Sequence, residues 1–246
     1  MTEKEKPTGL ERVAAPFHDS IQRYTALVRE IAGARAQALT LFGAIAAPGS
    51  EGFDPKRHTV RSVLVLDAAD LAILRRLAEY GARLGKDRIS APLIMTPEYI
   101  RASLDTFPLE LLEIHQQHLT IFGDDFFTHL VFDAGHMRLQ CERELKVILI
   151  GMRQGLLAAV GREKAISAVE ADVTAALVRT LRGFLWLKGV KEARPGAEVV
   201  AEVERLVERK LRGVQAALDT GAPHGWPEFE GLYRDVEAVG EIVNAL

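Results

Sequence analysis

The chain is poor in the residues that mark secreted and membrane proteins. Cys141 is the only cysteine among 246 residues, so no disulfide can form within the chain, and a reducing compartment is indicated. Its apolar stretches are too short or too interrupted by charge to span a bilayer. The charged residues 1–7 contain no apolar run of the kind found in signal peptides. We therefore expect a cytoplasmic protein without a membrane partner.

Neither sign of charge dominates, and aromatic residues are few. The formal net charge of -3 is neither basic enough for a general nucleic-acid coat nor acidic enough for a disordered tail. Arg179, Arg182 and Lys188 lie near Phe184 and Trp186, a combination that also occurs on nucleic-acid surfaces. At helical spacing the two aromatic residues fit a core or a dimer interface better, with the cations on a solvated face. The sequence therefore carries no strong signal for a nucleic-acid partner.

The apolar pattern changes character about halfway along the chain. Residues 10–32 and 71–84 have the spacing of amphipathic helices, and residues 48–58 are rich in turn formers and predict a loop. Short apolar runs predict five strands, over 38–42, 62–66, 89–95, 109–114 and 118–122. After about residue 134 only helical spacing remains, over 137–160, 164–187, 197–218 and 228–245. These elements predict an α/β (α+β) domain with a mixed sheet over residues 1–132 and an all-α helical bundle over 133–246.

The most informative motif lies at the end of the first predicted strand. The apolar run Ala38–Ala46 contains the turn Phe42-Gly43-Ala44, and a second apolar run, Val60–Leu66, follows it. The order helix, strand, glycine turn, strand, helix, strand resembles the nucleotidyltransferase fold. The helical second half resembles the HEPN-like bundle associated with minimal nucleotidyltransferases. The resemblance therefore extends over essentially the whole chain.

Active members of this family carry two carboxylates on alternate residues of the second strand. Alternate residues of a strand face the same side, where the two acids hold the magnesium that bridges the nucleotide phosphates. In this sequence Arg61 and Val63 fall at the two acid positions, and Ala44 replaces the serine of the turn. Neither Arg61 nor Val63 can bind magnesium. The resemblance therefore implies that the fold has been kept and the metal chemistry lost.

A third carboxylate of the family lies on a later strand, and Glu110 or Glu113 is its candidate remnant. The alternative for either glutamate is an exposed residue of an edge strand or a surface ion pair. The resemblance implies a vestigial nucleotide-binding site without catalytic residues, metal ligands or a cofactor. Its members are Phe42, Gly43, Ala44, Arg61, Val63 and Glu113.

A second polar cluster overlaps this site in the sequence and consists of Glu113, His115, His118, Asp124 and Asp125. Carboxylate and imidazole side chains are zinc ligands, so a metal site is conceivable. We favour a polar hairpin turn, in which Asp124 or Asp125 caps a short helix that runs through Phe127.

Three functions stay open from the sequence. We favour a non-catalytic nucleotidyltransferase-like protein that binds a nucleotide or another protein. One alternative is an active nucleotidyltransferase that uses magnesium to transfer a nucleoside monophosphate to a small molecule or protein. The other is a purely structural dimerisation protein. We also expect a homodimer, because five large apolar residues circle one helix and cannot all face one core: Leu181, Phe184, Leu185, Trp186 and Leu187.

Overall fold

The computed structural model describes residues 8–47, 59–219 and 225–246. The loop predicted over 48–58 lies outside the described residues. The chain divides into two compact units, Met1–Leu104 with Glu113–Val131, and Asp105–Leu112 with Phe132–Leu246. The four strands of the described residues belong to the first unit, and the described residues after 134 form helices and their connections. The structure thus shows a small mixed sheet with helices, followed by a helical region.

Four strands form the sheet: β1 (Ala36–Phe42), β2 (Arg61–Leu66), β3 (Leu93–Met95) and β4 (His118–Gly123). Their order across the sheet is β3-β2-β1-β4. β1 is antiparallel to both β2 and β4, whereas β2 and β3 are parallel, so the sheet is mixed as predicted. The strand predicted over 89–95 was too long. Ile89 makes only an isolated bridge, and pairing resumes after Pro92, which has no N–H to donate to the ladder.

One face of the sheet packs against the helix α1 (His18–Ala32). Ile21, Tyr24 and Val28 of α1 are buried in one cluster with alternate residues of the strands, Leu39, Leu41, Leu64, Leu66, Leu119 and Ile121. Each such side chain contributes about 1.5–3 kcal/mol on full burial, so this layer holds the sheet in place. Tyr24 Oη and Ser62 Oγ lie 3.0 Å apart and satisfy each other inside the apolar layer. Burial raises the pKa of Tyr24 to about 12.

Among the residues described between the strands, there are four short helices: α2 (Leu71–Ala78), α3 (Gly81–Lys86), α4 (Pro97–Ala102) and α5 (Pro108–Gln116). Asp70 caps α2 and Thr96 caps α4, each by accepting a hydrogen bond from a first-turn amide. The single helix predicted over 71–84 is interrupted between α2 and α3. The helix predicted over 10–32 begins only at residue 18, because Pro16 lies in a separate 3₁₀ turn.

The strand predicted over 109–114 was wrong, because α5 occupies these residues. Its apolar residues are buried nearly all round the helix: Leu109, Leu111, Leu112 and Ile114. The one-sided spacing that marks a surface helix is therefore missing, and a short buried helix cannot be told from a strand by period. Pro108 suits the first helical position, and leucine and glutamate favour helices. Glu110 and Glu113 therefore lie on a helix, and the expectation that they lie on a strand is wrong.

Over 133–219 and 225–246 the structure contains five helices: α6 (Ala134–Ala159), α7 (Glu163–Leu187), α8 (Gly196–Val207), α9 (Arg212–Leu218) and α10 (Trp226–Asn244). The single helix predicted over 197–218 is divided into α8 and α9, since Glu208 takes a left-handed conformation with φ 51° and ends α8. The Glu204 carboxylate then accepts the amide hydrogen of Leu211 at 2.7 Å. Within the described ranges, no helix combines the length and the apolar character needed to cross a membrane.

The large apolar residues near the end of α7 pack within the second unit. Leu181, Phe184 and Leu185 are buried in the single chain. The ring of Trp186 meets that of Phe132 edge-on, with the ring centroids 6.1 Å apart. The observation behind the expected homodimer therefore does not require a second chain, and the homodimer stays a prediction.

Candidate functional site

An ion pair lies directly over the glycine turn at the end of β1. Arg61 Nη1 is 2.6 Å from Glu113 Oε1 and Nη2 is 3.4 Å from Oε2, so the guanidinium donates to both carboxylate oxygens. A Cβ placed on Gly43 would lie 3.6 Å from Arg61 Nη1 and 4.0 Å from Glu113 Oε1. Three elements thus meet at one point: the end of β1, the first residue of β2 and the last turn of α5.

The pairing of the strands brings Arg61 to this position. Phe42 pairs with Arg61 of β2 on one side and with His118 of β4 on the other. Paired residues project to the same face of a sheet, and the guanidinium carbon of Arg61 lies 4.3 Å from the centre of the Phe42 ring. This cation–π contact is worth about 0.5–1 kcal/mol at an exposed site and orients the guanidinium plane. The side chain of Arg61 is 46% exposed and that of Glu113 16%.

The conformation of Gly43 explains why a glycine ends β1. Its φ of 77° lies in the left-handed region, which costs a residue with a Cβ about 1–2 kcal/mol. Its N–H donates to the carbonyl oxygen of Gln117 at 2.9 Å, which joins the turn to the end of α5. That amide is therefore not available to a phosphate. An anion at this turn would be bound by side chains, Arg61 first.

Two of the predicted site residues contribute packing instead of contacts at the turn. Val63 is fully buried, and Ala44 is half-buried against the core of the first unit. The structure brings the other four together: Phe42, Gly43, Arg61 and Glu113.

Glu113 is the one carboxylate of the described residues that comes within 4 Å of a Cβ at Gly43. The other candidate, Glu110, instead lies 3.7 Å from Arg179 on α7. Magnesium requires several oxygen ligands in octahedral geometry. In the part of the chain that the structure describes, no group of three or more His, Cys, Asp or Glu side chains has the arrangement of a metal site.

The polar residues after Glu113 tie the end of α5 to the turn that follows β4. His118 Nε2 is 3.1 Å from both carboxylate oxygens of Asp125, and its Nδ1 is 2.9 Å from the carbonyl oxygen of Ile114. His115 Nδ1 is 2.8 Å from the carbonyl oxygen of Phe127. Neighbours in the sequence therefore bind different partners, and the cluster does not converge on one point.

The carboxyl group of Asp125 caps the residues that follow it, as expected, by accepting hydrogen bonds from the amides of Phe127 and Thr128. The short helix expected through Phe127 is wrong, because a turn occupies these residues. The hairpin expected there is wrong as well, because α5 replaces the strand predicted over 109–114. Burial acts to raise the pKa of Asp125, but hydrogen bonds from the Thr128 hydroxyl, two backbone amides and His118 outweigh it and hold the pKa well below its usual range. Thr128 Oγ1 donates to Asp125 Oδ2 at 2.6 Å, and the amide of Phe127 donates to Oδ1 at 2.8 Å. Asp125 and Thr128 approach the same ring nitrogen of His118, so the three lack the relay geometry of a nucleophile, a base and an orienting acid.

Cys141 on α6 is buried in the second unit and is a poor candidate for a nucleophile. Its thiol donates to the carbonyl oxygen of Thr180, with sulfur and oxygen 3.7 Å apart. Burial, with a further contribution from Glu144, raises the pKa of Cys141 to about 12. The thiol therefore stays protonated near neutral pH, and the thiolate needed for attack is scarce.

Two residues that were not expected from the sequence, Gln117 and Thr128, shape the site and the turn beside it. Gln117 contributes its backbone carbonyl to the Gly43 turn, and no side-chain pattern signals such a contact. Thr128 follows Asp125 by three residues, and an aspartate that caps the amides of a following turn is a usable signal for this arrangement.

Comparisons with known proteins assign no family to the chain. No family model matches it, and no curated protein matches it either. The chemistry of the site therefore rests on the residues at the Gly43 turn. A half-exposed guanidinium, stacked on a ring and paired with one carboxylate, can bind an anion through two parallel hydrogen bonds.

Proposed function

We propose that this chain is a non-catalytic, nucleotidyltransferase-like protein that binds a nucleotide through its phosphates at the Gly43 turn. Arg61 supplies positive charge where the resemblance puts magnesium. The observation that carries the proposal is the position of the Arg61 guanidinium, which lies over Gly43, is stacked on Phe42 and is 46% exposed. A guanidinium held in one plane matches the geometry of a phosphate group.

The order of the elements supports the resemblance. The described elements run α1, β1, the Gly43 turn, β2, α2, α3 and β3, which is the expected order of helix, strand, glycine turn, strand, helix and strand with one additional short helix, α3, before β3. As part of the same proposal, we assign the helices after Phe132 to a HEPN-like bundle.

Transfer of a nucleoside monophosphate is not part of the proposed function. Of the two acid positions, one holds the cation Arg61 and the other holds the buried Val63, so neither can bring magnesium to the phosphates. Glu113 is already paired with Arg61, and a single carboxylate is a poor magnesium site. No contact among the described residues therefore favours the alternative of an active nucleotidyltransferase.

The test is calorimetric titration of the full chain with ATP, GTP, CTP and UTP, each in EDTA and in magnesium. We expect binding in EDTA to be at least as tight as in magnesium, because Arg61 and magnesium compete for the same phosphate charge. Arg61→Gln should weaken binding about 10- to 100-fold, since a hydrogen bond to a charged group is worth about 1.5–3 kcal/mol.

Arg75→Gln is the matched control. It removes the same positive charge at an exposed residue of α2. Arg61 is the first residue of β2, whereas α2 begins beyond the other end of that strand. This variant should bind as the unmodified chain does. Binding that requires magnesium, binding that survives Arg61→Gln undiminished, or no binding of any of the four nucleotides would contradict the proposal.

A further inference from the structure

We propose that Glu113 competes with the ligand for Arg61 and keeps weakly charged anions out of the site, an inference that rests on the proposed binding of phosphates by Arg61. The Glu113 carboxylate presents two oxygens to Nη1 and Nη2 of the guanidinium, as a phosphate group would. Glu113 is thus an internal anion that already occupies the donors on which a ligand depends.

Displacement is possible because the two side chains differ in their surroundings. Arg61 is fixed by the Phe42 ring and by its place at the start of β2, and it is the more exposed partner. An anion from solvent therefore reaches the guanidinium without a change in the sheet. It then meets the carboxylate of Glu113, and the two negative charges repel each other until Glu113 swings away.

The position of Glu113 on its helix adds to the cost of displacing it. Glu113 lies in the last turn of α5, and its backbone carbonyl accepts the N–H of Gln117 at 3.2 Å. The C-terminal end of a helix carries partial negative charge, which disfavours a carboxylate there. Arg61 offsets this repulsion. A ligand that takes Arg61 leaves the Glu113 carboxylate without its cation, so the affinity for the ligand is lowered.

This competition selects for ligand charge. A singly charged anion gains from Arg61 about as much as Glu113 does, so it does not displace Glu113. The adjacent phosphates of a nucleoside triphosphate carry several negative charges, and their attraction to Arg61 is correspondingly larger. The site therefore favours polyphosphates over single anions, and removal of the Glu113 charge relaxes this preference.

The experiment compares ATP and AMP binding in EDTA for the unmodified chain, Glu113→Gln and Glu113→Asp. Glu113→Gln should bind ATP about three- to tenfold more tightly and gain more for AMP, because a neutral amide holds Arg61 less strongly than a carboxylate. Glu113→Asp keeps the charge but is one methylene shorter, so it loses the two-oxygen contact with Arg61. It should also bind ATP more tightly than the unmodified chain. Circular dichroism checks that each variant is folded.

The outcomes separate this competition from the proposed function. If the unmodified chain binds ATP and Glu113→Gln binds it no more tightly, the competition is overturned while nucleotide binding stands. If Glu113→Asp binds ATP as the unmodified chain does, the two-oxygen contact with Arg61 does not hold the ligand off, which also overturns the competition for those donors. If none of the three proteins binds ATP, the proposed nucleotide binding and the competition both fail.

A spectroscopic measurement on the unmodified chain keeps the test independent of the folding of the variants. In an NMR titration with ATP, the side-chain resonances of Arg61 and the carboxyl resonance of Glu113 should shift together, with one midpoint. A shift at Arg61 with no change at Glu113 would overturn the competition.

Discussion

Replacing Gly213 with alanine should destabilise the second unit by about 2 kcal/mol, as a balance of overpacking against helix propensity. A Cβ at this position would lie 2.2 Å from the carbonyl carbon of Gly231 and 2.2 Å from the amide nitrogen of Leu232. Both are backbone atoms of α10, so rotation of a side chain cannot relieve the clash. To restore ordinary contact, α9 must move away from α10 by about 1 Å.

Two costs and one gain set this magnitude. Overpacking at a rigid position costs about 1–3 kcal/mol. The movement of α9 also stretches the buried hydrogen bond from the Gly213 N–H to Asp235 Oδ2, which is 2.7 Å long and whose loss costs about 1 kcal/mol. Against these, alanine gains about 0.5–1 kcal/mol over glycine inside a helix. The melting temperature should fall by roughly 4–8 °C for a chain of this size.

Urea and thermal unfolding followed by circular dichroism measure the effect, and two glycines of α10 supply matched controls. A Cβ at Gly231 would lie 3.5 Å from Gly213 Cα, and one at Gly240 would have nothing within 4 Å. Gly231→Ala should be close to neutral, and Gly240→Ala should stabilise by about 0.5–1 kcal/mol. The reasoning is refuted if Gly213→Ala is as stable as the unmodified chain, or if Gly231→Ala is equally damaging.

Three further predictions concern the Asp125 turn after β4, catalysis and assembly. Asp125→Asn should cost about 1–2 kcal/mol at neutral pH by weakening the hydrogen bonds from His118 and Thr128. Because the pKa of Asp125 is lowered in the folded state, this difference is present above the usual carboxyl pKa of about 4 and should shrink in urea titrations as the pH falls below it. No labelled nucleotide should appear on protein, RNA or small molecules when the chain is incubated with magnesium nucleoside triphosphates; transfer above background hydrolysis would show a functional metal site. Light scattering at micromolar concentration should give the mass of a homodimer, and a clean monomer mass would show that the chain does not self-associate.

The strands at the site could be predicted because each is a short apolar run that ends at a glycine or follows a stretch of turn-forming residues in the sequence. Gly43 ends β1 and Gly123 ends β4, and both have positive φ angles that glycine adopts freely. The caps Asp70 and Thr96 are equally local signals. Local chemistry therefore suffices for these boundaries.

The spacing of the apolar residues does not predict the helix α5. The helical position of Glu113 could therefore not be predicted either. Leu109, Leu111 and Leu112 are buried on different sides of α5, so contacts with neighbouring elements, and not an amphipathic pattern, determine its apolar positions. Only the resemblance to nucleotidyltransferases marks Glu113 as a site residue. Its partner could not be foreseen, because Arg61 and Glu113 are 52 residues apart and meet only through the pairing of β1 with β2 and β4.

On the proposed function, the Arg61–Glu113 pair explains how the site at the Gly43 turn is stable without a divalent ion. Carboxylates gathered at one point repel each other unless a cation lies among them. Arg61 on β2 places a cation 2.6 Å from the Glu113 carboxylate and balances its charge. Arg61→Asp alone would not create a magnesium site, since Val63 is buried and Glu113 would face an added negative charge at the end of α5.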